Sequence, residues 1–183
     1  MGDSLKENQI LAITSKIVSL AENRLVNATV DKKDLVKKES DHFLGEIGYG
    51  CYLTIKEGLL IASAGIDESN SQTGEFILYP EKPYESAQEI LNGLKKRLGL
   101  ENIGVILTDS HTIALRRGVT GVTLSYAGFK AIKNMVGEKD LFGRELKMTS
   151  MNIVDGLSSA ATLMMGEGSE SSPLVIIDGA NVE

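Results

Sequence analysis

The chain has 183 residues, 42% of them hydrophobic and 24% charged, enough to bury a real core in one or two small domains. Nineteen basic against 25 acidic side chains leave a formal charge of -6, which excludes a broad basic surface for nucleic acid. An anionic substrate would need local help from a metal ion or a few placed cations.

The opening residues MGDSLKENQ have neither the basic start nor the apolar stretch of a secretory leader, and no apolar run approaches a membrane span, so a cytoplasmic protein is expected. ILAIT, residues 10–14, reads as a buried strand, and SKIVSLAEN after it as a short helix carrying Ile17, Val18 and Ala21 inward. RLVNATV, residues 24–30, is β-prone, while the charge run DKKDLVKKESD is expected to be a solvated helix or loop. CYLTI and LLIASAGI form a hairpin through Lys56 to Gly58, and FILYP, residues 76–80, is a strand stopped by proline. The single cysteine, Cys51, lies in the apolar context GYGCYLTI and reads as a small buried hydrophobe.

After Pro83, Ala87, Ile90, Leu91, Leu94 and Leu98 fall at helical spacing, and this helix leads into a strand over 102–108. GVTGVTLSYAGF, residues 118–129, is β-branched and glycine-punctuated, as suits a strand near a closely packed backbone. A second amphipathic helix is predicted from Ser150 to Met165, with Ile153, Val154, Leu157, Ala160, Ala161 and Met164 inward. The loop GEGSESSP and a final strand, LVIID, complete an α+β chain with mixed or antiparallel sheets and packed helices, without repeats or low-complexity linkers.

Two apolar runs deliver acids. LLIASAGIDESN, residues 59–70, brings Asp67, Glu68 and Asn70 to its end, and NIGVILTDSH, residues 102–111, stops at Asp109 and Ser110. Magnesium and manganese prefer oxygen ligands, commonly one or two carboxylates with substrate phosphates and water, and Asp67, Asp109 and Ser110 meet that requirement if the two ends converge. Singly, each aspartate also suits a plain turn. The loop Gly166-Glu167-Gly168-Ser169-Glu170-Ser171-Ser172 frees backbone N-H groups to approach phosphate, but its glutamates favour a phosphate that arrives with a metal. Lys16, Arg116 and Arg117 are the candidate cations. There is no GxxxxGK[ST] and no GxGxxG after a strand, and two distant histidines, His42 and His111, give little material for a zinc site or a Ser/His/Asp relay.

ITSKIVSLAENR, ASAGIDESN, VILTDS, GEKDLFGRELKMT and VDGLSSAATLMMGE occur in the order found in the coenzyme F-420 gamma-glutamyl ligase family, which the chain resembles over nearly its whole length. The resemblance implies an α+β fold, an intertwined homodimer, and a ligase that uses GTP with Mn2+ or Mg2+, and K+ as an additional ion. Such an enzyme activates an acceptor carboxylate as an acyl phosphate and joins it to L-glutamate. It further implies that Asp67, Asp109, Ser110 and Glu167 ligate metal, that Ser15, Lys16, Asn70, Gly166, Glu167 and Gly168 contact nucleotide, and that Asp67, Asp109 and Arg116 serve catalysis.

The chain departs from the family at three places. The opening strand and loop are missing, so a single ligase-like domain over 1–183 lacking the N-terminal segment is expected. Leu20 stands where the family has a lysine, and Thr112-Ile113-Ala114-Leu115-Arg116 replaces Gly-Arg-Pro-Trp-Arg, with only the last arginine kept. These departures keep open a folate-type acceptor and a noncatalytic ligand-binding dimer as alternatives.

Overall fold

The computed structural model describes residues 5–69, 71, 74–180 and 182. In chain order the strands are β1 (Ile10–Thr14), β2 (Leu25–Val26), β3 (His42–Gly48), β4 (Cys51–Lys56), β5 (Leu59–Ala62), β6 (Phe76–Ile77), β7 (Gly104–Thr112), β8 (Val119–Ala127), β9 (Ile132–Asn134), β10 (Ser150–Asn152) and β11 (Leu174–Ile177). The helices are α1 (Ser15–Ala21), α2 (Lys32–Glu39), α3 (Pro83–Leu98) and α4 (Ile153–Met165), with one 3-10 turn at Ser63–Gly65.

The central sheet has the order β11-β1-β7-β8, with β1 parallel to β7 and the other pairs antiparallel. Alternation along β1 and β7 serves two cores. Ile13, Val105 and Leu107 pack with Ala87 and Leu91 of α3, whereas Ile10, Ala12 and Ile106 pack with Val154, Ala161 and Met165 of α4. A separate sheet, β3-β4-β5, stands beside a third core in which Leu35 and Val36 of α2 meet Ala64, Ile66, Phe76 and Leu78.

The helix α3 starts with proline at its first position, where no N-H is needed, and ends on Gly99 in the left-handed region. Several expectations are corrected. The charge run 31–41 contains α2, capped by Asp31 on the Asp34 N-H, and buries Leu35 and Val36 instead of lying wholly in solvent. The β-prone stretch 24–30 pairs only at Leu25–Val26, and FILYP only at Phe76–Ile77. Cys51 is half-buried at the start of β4 and belongs to no core.

The α4 face differs most. The helix begins at Ile153, because Ser150–Asn152 pairs with β9 as β10, and Ala160 and Met164 point outward with Leu163. Its buried face holds Ser158 and Thr162, whose hydroxyls bond Thr123 Oγ1 at 2.6 Å and Thr108 Oγ1 at 3.2 Å. Small hydroxyl residues let the helix settle on Gly121 of β8, where a Cβ would stand 2.4 Å from the Ser158 carbonyl oxygen. Gly121→Ala is therefore expected to lower stability by about 1–3 kcal/mol through overpacking against backbone, measured as a shift in the urea midpoint at unchanged m.

Candidate functional site

Asp67 is delivered by a strained turn. After β5 the chain passes through Ser63, Ala64 and Gly65 with φ of 51, 54 and 70°. Left-handed backbone costs about 1–2 kcal/mol at each non-glycine residue. Buried Thr54 offsets part of this, since its Oγ1 donates to the Ile61 carbonyl at 2.7 Å and accepts the Ala64 N-H at 2.8 Å. The chain then runs extended, and Asp67 exchanges backbone bonds of 2.9 and 2.8 Å with Ile77.

The Asp67 carboxylate accepts the Ser69 N-H at 2.6 Å on one oxygen and is paired with the Lys16 ammonium on the other. Lys16 also donates to Ser69 Oγ at 3.2 Å. Burial pushes the Asp67 pKa up, but the bonds from Lys16 and Ser69 outweigh it and hold the carboxyl below the ordinary aspartate value.

Asp109 lies within β7, because the strand continues to Thr112 against Val119–Val122 of β8 and does not stop at the acid. A register shift between Leu107 and Thr108 precedes it. The hydroxyl of Tyr79, itself buried, donates to Asp109 Oδ2 at 2.6 Å. Burial pushes the Asp109 carboxyl up to about 6, the negative charge of Asp67 adds to that, and the bonds from Tyr79 and the Ser110 backbone with the positive charge of Lys16 act against it. Burial, with Asp109 beside it, raises the Tyr79 phenol well above its ordinary value, so at neutral pH it is a donor. Tyr79→Phe removes a bond that favours the charged carboxylate. The Asp109 titration midpoint is expected to move above about 6, read from the carboxyl 13C shift of the metal-free protein.

Ser110 Oγ reaches both carboxylate oxygens of Glu167, at 2.7 and 2.8 Å. Glu167 follows α4, whose end is marked by Gly166 at φ 80°, and Glu170 folds back to accept the Gly168 N-H at 2.7 Å. Lys16, Asp67, Asp109, Ser110, Gly166, Glu167 and Gly168 all line one cleft of about 740 Å3. The same cleft has an apolar wall that includes Ile17, Leu20 and Ile61.

The structure thus gathers most of the residues singled out in the sequence. Three stand apart. Ser15 is buried at the start of α1, where its carbonyl accepts the Ser19 hydroxyl, and it is not part of the cleft lining. Arg116 and Arg117 sit exposed after β7, also outside the lining, and Asn70 lies outside the described residues. Tyr79, Ser69 and Thr162 were not foreseen. Only the tyrosine before Pro80 carried a signal, a polar hydroxyl on an otherwise apolar run.

Among the described residues no group of three or more His, Cys, Asp or Glu is placed to hold a metal ion. The oxygen donors that face the cleft together are Asp67, Asp109 and the Ser110 hydroxyl, with Glu167 bound to that hydroxyl. A hard divalent cation held by one or two carboxylates takes its remaining ligands from phosphates and water, so this donor set fits magnesium or manganese.

The family model described as F420-0:Gamma-glutamyl ligase matches residues 1–179. The chain belongs to the F420-0:gamma-glutamyl ligase family. Among this family's members, the coenzyme F420:L-glutamate ligase of Methanopyrus kandleri is 34% identical over 198 residues, covering 98% of this chain and 78% of that protein. The coenzyme F420:L-glutamate ligase of Methanocaldococcus jannaschii is 40% identical over 160 residues, covering 87% and 60%. That of Archaeoglobus fulgidus is 32% identical over 195 residues, covering 97% and 78%. The chain therefore spans from 60% to 78% of the length of these three F420-0:gamma-glutamyl ligase relatives.

Proposed function

We propose that the protein is an amide ligase that uses a nucleoside triphosphate, GTP in the first instance, and Mn2+ or Mg2+ to activate the carboxyl of an F420-0-like acceptor as an acyl phosphate and join it to L-glutamate. The observation that carries this reading is the single cleft in which Lys16, Asp67, Asp109 and Ser110 meet, in a chain of this family. Asp67, Asp109 and Ser110 would hold the cation, which when bound neutralises charge on the phosphoryl oxygens.

The chain's own groups do the remaining work. Tyr79 holds one oxygen of Asp109, so that the carboxylate presents the other in a fixed direction. Lys16 supplies a positive charge at the rim, and phosphoryl transfer depends on positioning and charge compensation of this kind. Gly166 and Gly168 bring the 166–173 loop to the cleft, where the Gly168 N-H, held by Glu170 in this structure, would meet phosphate once that carboxylate swings away. Ile17, Leu20 and Ile61 form an apolar side of the cleft that would limit the approach of water to an acyl phosphate. The outward Leu163 and Met164, 81% and 71% exposed, support association as a homodimer.

Purified protein incubated with Mn2+, GTP or ATP, L-glutamate and F420-0 is expected to release phosphate only when acceptor and glutamate are both present, with the glutamylated product seen by mass spectrometry. Absence of nucleotide binding and of product with either nucleotide would sink the reading.

A further inference from the structure

Among the described residues, Lys16 is the one lysine or arginine that lines the cleft. Its ammonium pairs with Asp67 and bonds Ser69 Oγ at 3.2 Å, and its positive charge also acts on Asp109. It rises from the first turn of α1, directly after β1, on a flexible stem that is about one-quarter exposed. Both Asp67 oxygens are thus engaged, one by the Ser69 N-H and the other by the ammonium, so a cation that takes up this carboxylate meets the Lys16 charge at close range. Two cations cannot sit that close without strong repulsion in a partly desolvated site.

Resting on the ligase reading above, we propose that Lys16 is an exchangeable partner of Asp67: it neutralises the carboxylate in the metal-free protein, and a divalent cation displaces it toward the phosphates of the nucleotide. Lysine suits this role. Its ammonium is a compact charge on four rotatable carbons, without the planar two-point grip that arginine has on a carboxylate. The Ser69 hydroxyl gives the ammonium a second partner at the rim. The exchange makes metal binding prepare the site for nucleotide, because it releases a positive charge from its carboxylate partner at the rim where phosphate would enter.

The test is binding by the full chain, without turnover. Mn2+ alone is titrated by calorimetry or electron paramagnetic resonance into wild type, Lys16→Met and Lys16→Arg. Lys16→Met, having lost the competitor, is expected to bind Mn2+ about 3- to 10-fold more tightly. Lys16→Arg, with a firmer grip on Asp67, is expected to bind it about 3-fold more weakly than wild type. With Mn2+ present, a non-hydrolysable GTP analogue should bind Lys16→Met about 10-fold or more weakly than wild type. Simple repulsion between Lys16 and the metal would leave arginine equal to lysine, and that result overturns the exchange. If wild type binds Mn2+, Asp109→Asn loses it and Lys16→Met is unchanged, the exchange fails while the metal site stands. If wild type binds no Mn2+ at all, both fail.

Discussion

Asp109→Asn is expected to lower ligase turnover by about 10^2- to 10^3-fold or more and, in the same protein without metal, to raise stability above pH 7. The two effects have one origin. Burial pushes the Asp109 carboxyl up to about 6 from an ordinary 3.8, so the folded protein binds this proton more tightly than the unfolded chain does. The stability associated with the neutral acid is fully present below 3.8 and is lost as pH rises through about 6. The distance between those values corresponds to about 3 kcal/mol at full burial. Asp109 retains partial exposure at the cleft wall, which reduces the expected cost to about 1–2 kcal/mol. Asparagine keeps an acceptor for the Tyr79 hydroxyl and carries no charge, so the variant should lack this decline. Urea unfolding of both proteins at pH 4 and pH 8 checks it: curves that separate at pH 8 and converge at pH 4 are expected, and equal stability at both would show that Asp109 is solvated.

Gly65→Ala is expected to be strongly destabilising for a single added methyl. At φ 70° an alanine is strained by about 1 kcal/mol or more, and its Cβ would stand 2.1 Å from the Tyr79 ring carbon that bears the hydroxyl. The ring is buried and cannot yield without breaking the bond to Asp109. Loss of about 3–5 kcal/mol is expected, from strain and overpacking together. Gly58 is the control. It has a φ of 75° and nothing within 4 Å of its would-be Cβ, so Gly58→Ala carries the backbone strain alone. Thermal midpoints of the two variants separate the collision from the strain, and a Gly65→Ala no worse than Gly58→Ala would mean that Tyr79 moves freely.

Much of this was legible in the residues. The strands at 10–14 and 174–177, the hairpin through Lys56–Gly58 and the helix after Pro83 follow from apolar runs, turn residues and a 3.6-residue period. The close approach at Gly121 was visible as a glycine in a β-branched run. The inward face of α4 was not, because hydrophobic spacing cannot show that Ser158 and Thr162 are wanted inside for bonds to partners distant in sequence. Lys16, Asp67, Asp109, Ser110 and Glu167 were found as candidates from strand ends and from motif order. Their convergence was proposed from the paired strand ends, but the route was not legible, since Asp67 reaches the cleft through a left-handed turn at Ser63 and Ala64 that no propensity favours. Tyr79 stayed hidden for a related reason, as its value depends on Asp109, which lies 30 residues away.

Asp67 and Asp109 reach the cleft from different cores. Asp109 belongs to the central sheet between α3 and α4, whereas Asp67 follows the turn that closes the core beneath β3-β4-β5. A ligand that holds both carboxylates therefore acts as a rivet across the seam between these units, and its grip is limited by whichever of them loosens first. Local opening of the smaller one would carry Asp67 away and leave Asp109 in place. Affinity for such a ligand and the resistance of that unit to opening are then a single property of the molecule, seen once from the cleft and once from the core behind it.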